Sequence, residues 1–569
     1  MKYVGYYIDH ERLGKQRRNL AYLDGLISKF DWRRICHIIS TLSPMEEGGR
    51  MSDTAIITKI VTEGFFDQDL VKKIQADSAN GGRVLHPFGI ALIASRALKL
   101  GVEHEAGERQ PLTVIGEMLL TTNDIATEGD QSEEGRHLRF IRDLSMSNGE
   151  NNYFRVGRYY RLFKELAPRM KNASPESDIA ALYTNATGMS IDAIFTLMLA
   201  LYGKFAELGN RCRTRSNSPT FVQPMLEEFI IAPNQYFKKT TMNQDIVQRS
   251  MYSLSTNPKQ YMADTNRTDL PFDFTHLRTW PLAQIGKDSF VVPVIDFLFN
   301  RMATRIYFDI YDSLGEKQKG SFGNFIGGLV QVYINEVLTS FLGQPGSALA
   351  RWYSDQQFEK DRPDQKTPDA IIVGQDRGKL VLVFLEFKSA RPRNRAMVAG
   401  DLVSLQQQWR HSLIGTPDGA VGARQLDSSI SDFFKGRLRI PGVNPNVVDR
   451  IYPVIITIDP WPLVADMKSM FLAEVEENGL LTQTNVATLD VWSCFDLETL
   501  GALVEKRKLA LFELMRTRSS DPDKRLVPIS LQLAENGVIS EERSEFFDAI
   551  WKRLHDNVVT DLDLKSAND

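Results

Sequence analysis

The sequence predicts a two-part chain (α+β/α/β): a mainly α-helical N-terminal region, then a C-terminal α/β domain with a central mixed sheet flanked by helices. Three observations carry that expectation. Apolar residues recur at helical spacing through the first half, as in AYLDGLISKFDWRRICHIISTL and SIDAIFTLMLALYGKFAEL. Near residue 265 the texture changes to short apolar runs separated by turn residues. Farther on, apolar runs of strand length at 381–385 and 451–458 alternate with helical segments.

With 569 residues, the chain exceeds the usual size of one compact domain. The divisions expected are a helical recognition or regulatory region at 1–265, the α/β domain at 266–520 and a helical tail at 521–569. In the first, DLVKKIQA and FGIALIASRALKL add helices, joined by polar links such as ATEGDQSEEG and SMSNGENN. In the second, two short strands are expected about Gly286-Lys287-Asp288, with a helix from near Ile295. A strongly apolar helix follows at 320–342, carrying Phe322, Phe325, Ile326, Leu329, Val330, Tyr333, Val337 and Phe341. Gly327 and Gly328 cost helix propensity there, which is tolerable where another backbone passes close by. Next come a strand at Asp369–Val373, the turn GQDRG and a strand at Lys379–Lys388. The helix MVAGDLVSLQQQWRHSLIG, a strand at Ile451–Ile458 and a strand–helix pair in ATLDVWSCFDLETLGALVEKRK complete the domain. SEERSEFFDAIWKRLHDNV predicts the helix of the tail.

Composition bounds the function. Hydrophobic residues make up 43% and charged residues 25%, with a formal charge of −4, so an anionic partner would have to be met by a local patch. Cys36, Cys212 and Cys494 are too far apart to suggest a disulfide framework or a zinc knuckle, and a reducing cytoplasm is the expected location. The eight histidines are scattered, with no pair at helical ligand spacing. The opening MKYVGYYIDHERLGKQRRNL lacks an apolar signal core. No apolar run reaches the ~18 residues of a membrane span. No GxxxxGK[ST] motif occurs, so any ATP-driven step would belong to another subunit.

The chemistry gathers where the apolar run at 381–385 ends in Glu386 and Lys388. Side chains alternate along a strand, so these two share a face and Phe387 points to the other. A turn over Arg377-Gly378 would set Asp369 opposite Glu386; a longer loop would slide the pairing. Two facing carboxylates repel, and one must keep its proton unless a cation intervenes. Mg²⁺, with Mn²⁺ as the alternative, suits one or two carboxylates and retained waters.

Pro368-Asp369 followed by Glu386-Phe387-Lys388 resembles the PD-(D/E)xK nuclease superfamily, over roughly residues 270–500. The resemblance implies a restriction-endonuclease-like fold. It also implies a cation held by Asp369, Glu386 and the Phe387 carbonyl, with Lys388 serving the nucleophile. Related nucleases often carry a glutamate in the preceding helix, in a pattern like G-x-F-E-x-Y. Here Gly328-Leu329-Val330-Gln331-Val332-Tyr333 puts a glutamine in that place. Gln331 is favoured as the site residue over Glu336, which lies on another side of the helix. Arg391, Arg393 and Arg395 suit phosphate contacts, or form a solvated charge run. One of Gln406, Gln407 and Gln408 could match a site-orienting glutamine of the superfamily. Arg155, Arg158 and Arg161, interleaved with Tyr159, Tyr160 and Phe163, read as core rather than as a stacking surface. Arg211, Arg213 and Arg215 form a weaker backbone-binding candidate.

The expectation from this resemblance is a Mg²⁺-dependent DNA endonuclease in restriction or phage defence, acting on double-stranded DNA. A protein partner or a second copy of the chain would gate or complete it, with no membrane involved. A catalytically inactive nuclease-like binding module, a repair or recombination nuclease and an RNA nuclease remain as rivals.

Overall fold

The chain returns on itself, so neither of its two cores is made from one continuous stretch. One unit comprises residues 1–146, 183–309 and 555–569; the other comprises 147–182 and 310–554. The computed structural model describes residues 6–46, 64–104, 111–128, 152–171, 174–214, 226–238, 243–264, 268, 270–345, 352–362, 365–417, 419, 421–461, 465–529, 532–533 and 543–562. This division differs from a boundary at 265. The strands expected about Gly286 fall in the first unit, and a helical segment from the N-terminal half falls in the second. Periodicity marks a helix but does not say which core receives it.

The first unit is mainly helical, with Trp32–Glu46, Pro87–Leu100, Thr113–Ala126 and Ile191–Thr214 among its helices. Ser255–Thr256, Leu282–Gly286 and Ser289–Val291 form a small sheet, parallel then antiparallel. His10 is fully buried between two acids of one helix. Its imidazolium donates from Nδ1 to Asp124 at 2.5 Å and from Nε2 to Glu117 at 3.0 Å, and Tyr22 also donates to Glu117 at 3.1 Å.

The second unit is built on a five-stranded mixed sheet. We label its elements α1 (Asn152–Tyr160), α2 (Glu316–Leu342), β1 (Trp352–Ser354), β2 (Ala370–Asp376), β3 (Lys379–Lys388), α3 (Gly422–Phe434), β4 (Val448–Thr457), β5 (Asp490–Ser493) and α4 (Cys494–Glu505). The sheet order is β5-β4-β3-β2-β1. β3, β4 and β5 run parallel, whereas β2 is antiparallel to both β3 and β1. Parallel central strands must be covered on both faces, which accounts for the unbroken burial from Val381 to Phe387. Phe384 meets Phe433 of α3 edge-to-face, with ring centroids 5.9 Å apart. α2 packs against α4. Gly501 permits that approach, because a Cβ there would lie 2.8 Å from the Phe341 ring.

Gly327 and Gly328 of α2 face side chains rather than a passing backbone: Ser389 Oγ and Met170 Cε, each 3.6 Å from an added Cβ. By length and composition alone, α2 is apolar enough to cross a membrane, and 44% of its most apolar stretch is buried. The bent pair Ile179–Thr187 and Ile191–Arg211 passes the same test if counted as one span. Uninterrupted runs conceal this because glycine and glutamine punctuate α2.

Candidate active site

The β2–β3 turn sets the site's register. Asp376 pairs with Lys379, leaving Arg377 and Gly378 as a two-residue loop. Their φ values, 51° and 80°, are both positive, the signature of a type I′ hairpin. The ladder runs back to Ala370 opposite Leu385, so Asp369 comes next to Glu386 at the open end of the hairpin. There the Asp369 amide donates to the Leu385 carbonyl at 2.9 Å. Its carboxylate accepts from the Phe387 amide at 2.6 Å and from Gln331 Nε2 of α2 at 3.3 Å.

Glu386 is 2% exposed. One carboxylate oxygen accepts from Lys388 Nζ at 2.6 Å; the other is buried and has no partner. Burial, with the Asp369 charge next, pushes Glu386 up to about 8, against the pull of Lys388 and Lys366. Burial likewise pushes Asp369 up to about 6, opposed by the Phe387 amide and Lys388 and reinforced by Asp355. Two desolvated carboxyls held side by side with one ammonium are under-neutralised. Such a pair binds a proton or a hard cation.

Asp369, Glu386, Lys388 and Gln331 therefore converge, and Phe387 joins them through its amide. Glu336 does not: Arg161 engages both its oxygens, at 2.5 and 2.9 Å. The expectation that Arg391 contacts phosphate needs correction. Its guanidinium is 7% exposed and donates to Asp459 at 2.6 Å and to the Tyr159 hydroxyl at 2.9 Å. Arg393 is exposed, and its amide donates to Gln408 Oε1 at 2.6 Å, so that glutamine braces the loop. Arg395 begins the second position of a short helix, Asn394–Ala399, and its side chain lies outside the described residues. Gln406 is half-buried and Gln407 exposed. Arg155, Arg158 and Arg161 are buried, in keeping with a core role. Arg211 pairs with Glu228 at 2.7 Å, while Arg213 and Arg215 lie outside the residues whose side chains are described.

Sequence reasoning passed over Asp355 and Lys366. The Asp355 amide donates to the Asp369 carbonyl at 3.1 Å, and the exposed Lys366 acts electrostatically on Glu386. Neither belongs to the Pro-Asp or Glu-x-Lys pattern, so only the fold brings them in. α3 fixes the approach to Asp369: Gln425 donates to the Thr367 carbonyl at 2.8 Å, and Gln365 donates to Asp432 at 2.9 Å.

No group of three His, Cys, Asp or Glu side chains that could hold a metal occurs among the described residues. No protein-family model, curated protein or solved structure matches the chain.

Proposed function

We propose that the chain is a divalent-cation-dependent nuclease, hydrolysing phosphodiester bonds with Asp369, Glu386 and Lys388 on a restriction-endonuclease-like sheet. The observation that carries this reading is the buried, unpartnered oxygen of Glu386 beside Asp369. A buried carboxylate oxygen without a donor is costly, and a cation removes the cost. The donor set fits a hard ion: two carboxylates, with the Phe387 carbonyl as the third ligand the superfamily resemblance suggests. With no group of three acidic, histidine or cysteine side chains able to hold a metal among the described residues, Mg²⁺ suits better than a cation needing an all-protein cage. When bound, Mg²⁺ or Mn²⁺ would lower the pKa of water and offset charge on a phosphoryl oxygen.

The chain's own residues would do the rest. Lys388 brings a compact charge with rotatable donors, able to orient a water through Nζ or to hold a non-bridging phosphate oxygen. Gln331 steadies Asp369 Oδ1 through its amide. Arg393 and Lys366, both exposed, would be available to meet the phosphate backbone. DNA as substrate and a role in restriction or phage defence come from the resemblance alone.

One observation favours a second reading, an inactive nuclease-like binding module: Gln331 stands where related nucleases place an acid. Supercoiled plasmid and a structured RNA, incubated with wild type and Asp369→Ala in Mg²⁺, Mn²⁺ or EDTA, test both readings. Cleavage by wild type alone, lost in EDTA, is the expected result. Cleavage that survives Asp369→Ala rejects the site. Absence of cleavage, together with no Mn²⁺ binding by wild type, rejects the nuclease in favour of the module.

A further inference from the structure

Lys388 carries its charge on a four-carbon stem, so its aim depends on the backbone beneath it. That backbone leaves the sheet at Lys388, and every residue of the exit is tethered. The Lys388 carbonyl accepts from the Ile458 amide at 3.0 Å. The Ala390 carbonyl accepts from Trp461 Nε1 at 3.1 Å. Arg391 reaches back to the Ser389 carbonyl at 3.5 Å. Two of the anchors come from α1, more than two hundred residues earlier in the chain. Arg158 donates to the Ile458 carbonyl at 2.9 Å, on the residue whose amide holds Lys388. Its neighbour Tyr159 bonds the Asp459 carboxylate at 2.9 and 3.0 Å and accepts from Arg391 at 2.9 Å.

The chemistry of these groups argues for geometry over simple adhesion. Arg158 is fully buried and forks onto both oxygens of Glu498, at 2.7 and 2.9 Å. Tyr333 of α2, two residues from Gln331, donates to the same carboxylate at 2.7 Å. A buried ion pair is a poor source of net stability, since apolar side chains of equal volume often do as well. It does fix direction, because a bidentate guanidinium–carboxylate fork tolerates little rotation. Burial also raises the Tyr159 phenol well above its ordinary range, so it remains a hydroxyl that can donate to Asp459 and accept from Arg391.

We infer that Arg158 and Tyr159 of α1, acting through Ile458, Asp459 and Arg391, form a clamp that positions Lys388 against the two carboxylates. This deepens the nuclease reading and rests on it for its catalytic consequence. They are positioning residues, since the contacts described run to Glu498, Ile458, Asp459 and Arg391 and not to Asp369, Glu386 or the Lys388 ammonium. The segment 147–182 is on this view a working part of the catalytic unit, not part of a separate recognition region.

The test uses the full chain with Tyr159→Phe, Arg391→Ala and Arg391→Lys, leaving Arg158 intact because its loss would strand Glu498. Plasmid cleavage is read as kcat and KM, and backbone amide exchange is followed across 387–391 and the rest of β3 and β4. The clamp predicts that Tyr159→Phe lowers kcat about tenfold, with KM within about twofold and melting unchanged. Exchange should rise at 389–391 alone, and Arg391→Lys should recover part of what Arg391→Ala loses. Unchanged kcat and exchange in Tyr159→Phe would overturn the inference. So would loss of protection spread through β3 and β4, which marks a general structural role. If wild type does not cut, the nuclease reading fails separately, and local exchange at 389–391 with Mn²⁺ affinity still decides the clamp.

Discussion

At the scale of single residues, Glu386 is a liability that a proton or a cation relieves. Its free oxygen is buried, and its other oxygen shares one lysine with a neighbouring acid. Glu386→Gln should therefore raise stability without divalent cation by about 1–3 kcal/mol while abolishing cleavage, as denaturant melts and plasmid assays would record. A melt that drops instead would mean that Glu386 is held as a structural ion pair. His10 behaves in the opposite sense. Burial alone would lower its pKa, but the hydrogen bonds to Asp124 and Glu117 more than reverse this, to about 9. The folded state thus holds the proton more tightly than the unfolded chain. The resulting stability, of the order of 3 kcal/mol, is complete below about pH 6.5 and disappears as pH rises through about 9. The difference in unfolding free energy between wild type and His10→Gln should shrink across that window, and a constant difference would refute the assignment. Residues of this kind differ in how far the sequence reveals them. Asp369, Glu386 and Lys388 are readable because strand alternation and a two-residue turn leave little freedom in their pairing. Arg391 is not, because its partners Asp459 and Tyr159 lie 68 and 232 residues away. Nothing local distinguishes a buried loop arginine from a solvated one.

At the scale of elements, the hairpin governs the site from its far end. A type I′ turn suits glycine and asparagine, yet its first central position is Arg377 at φ 51°. A branched or long L side chain in that region costs about 1 kcal/mol more than asparagine. Arg377→Asn should stabilise the protein by about 0.5–1 kcal/mol in denaturant melts and leave cleavage unchanged, because the Asp369–Glu386 register stays the same. Lost activity with raised stability would show the register to be wrong. The hairpin and α2 of this unit are legible because each follows a simple pattern: strand-length apolar runs for the hairpin, a period of 3.6 for α2. Their ends shift by a few residues where hydrogen bonding outruns hydrophobicity. β2, for instance, extends to Asp376, past the apolar stretch that announces it. What periodicity leaves out is how the elements meet. Gln331 reaches Asp369 because α2 packs against β3, a matter of tertiary contact and not of pattern.

At the scale of the whole molecule, the division into units escapes local reading altogether. Composition shifts near 265, but the cores exchange segments on both sides of that point. The physical mark of the exchange is α1, whose arginines and aromatics read as core in the sequence without revealing which core receives them. A fragment of residues 266–569 tests how much rests on that segment. It lacks Arg158, leaving the buried Glu498 carboxylate with the Tyr333 hydroxyl as its remaining partner among the contacts described above. Breaking a buried pair from one side costs about 3–5 kcal/mol, and Glu336 loses Arg161 as well. The apolar contacts of Phe154, Val156, Leu162 and Phe163, all buried, go with them. Against a typical domain stability of about 5–15 kcal/mol, these losses suffice to unfold the sheet. The fragment should show no cooperative thermal transition by circular dichroism. A chain joining 147–182 to 310–554 through a flexible linker should regain one and, with it, Mn²⁺ binding. If 266–569 instead melts cooperatively at the temperature of the intact protein, α1 is an ornament on an autonomous domain, and the site must be organised without it.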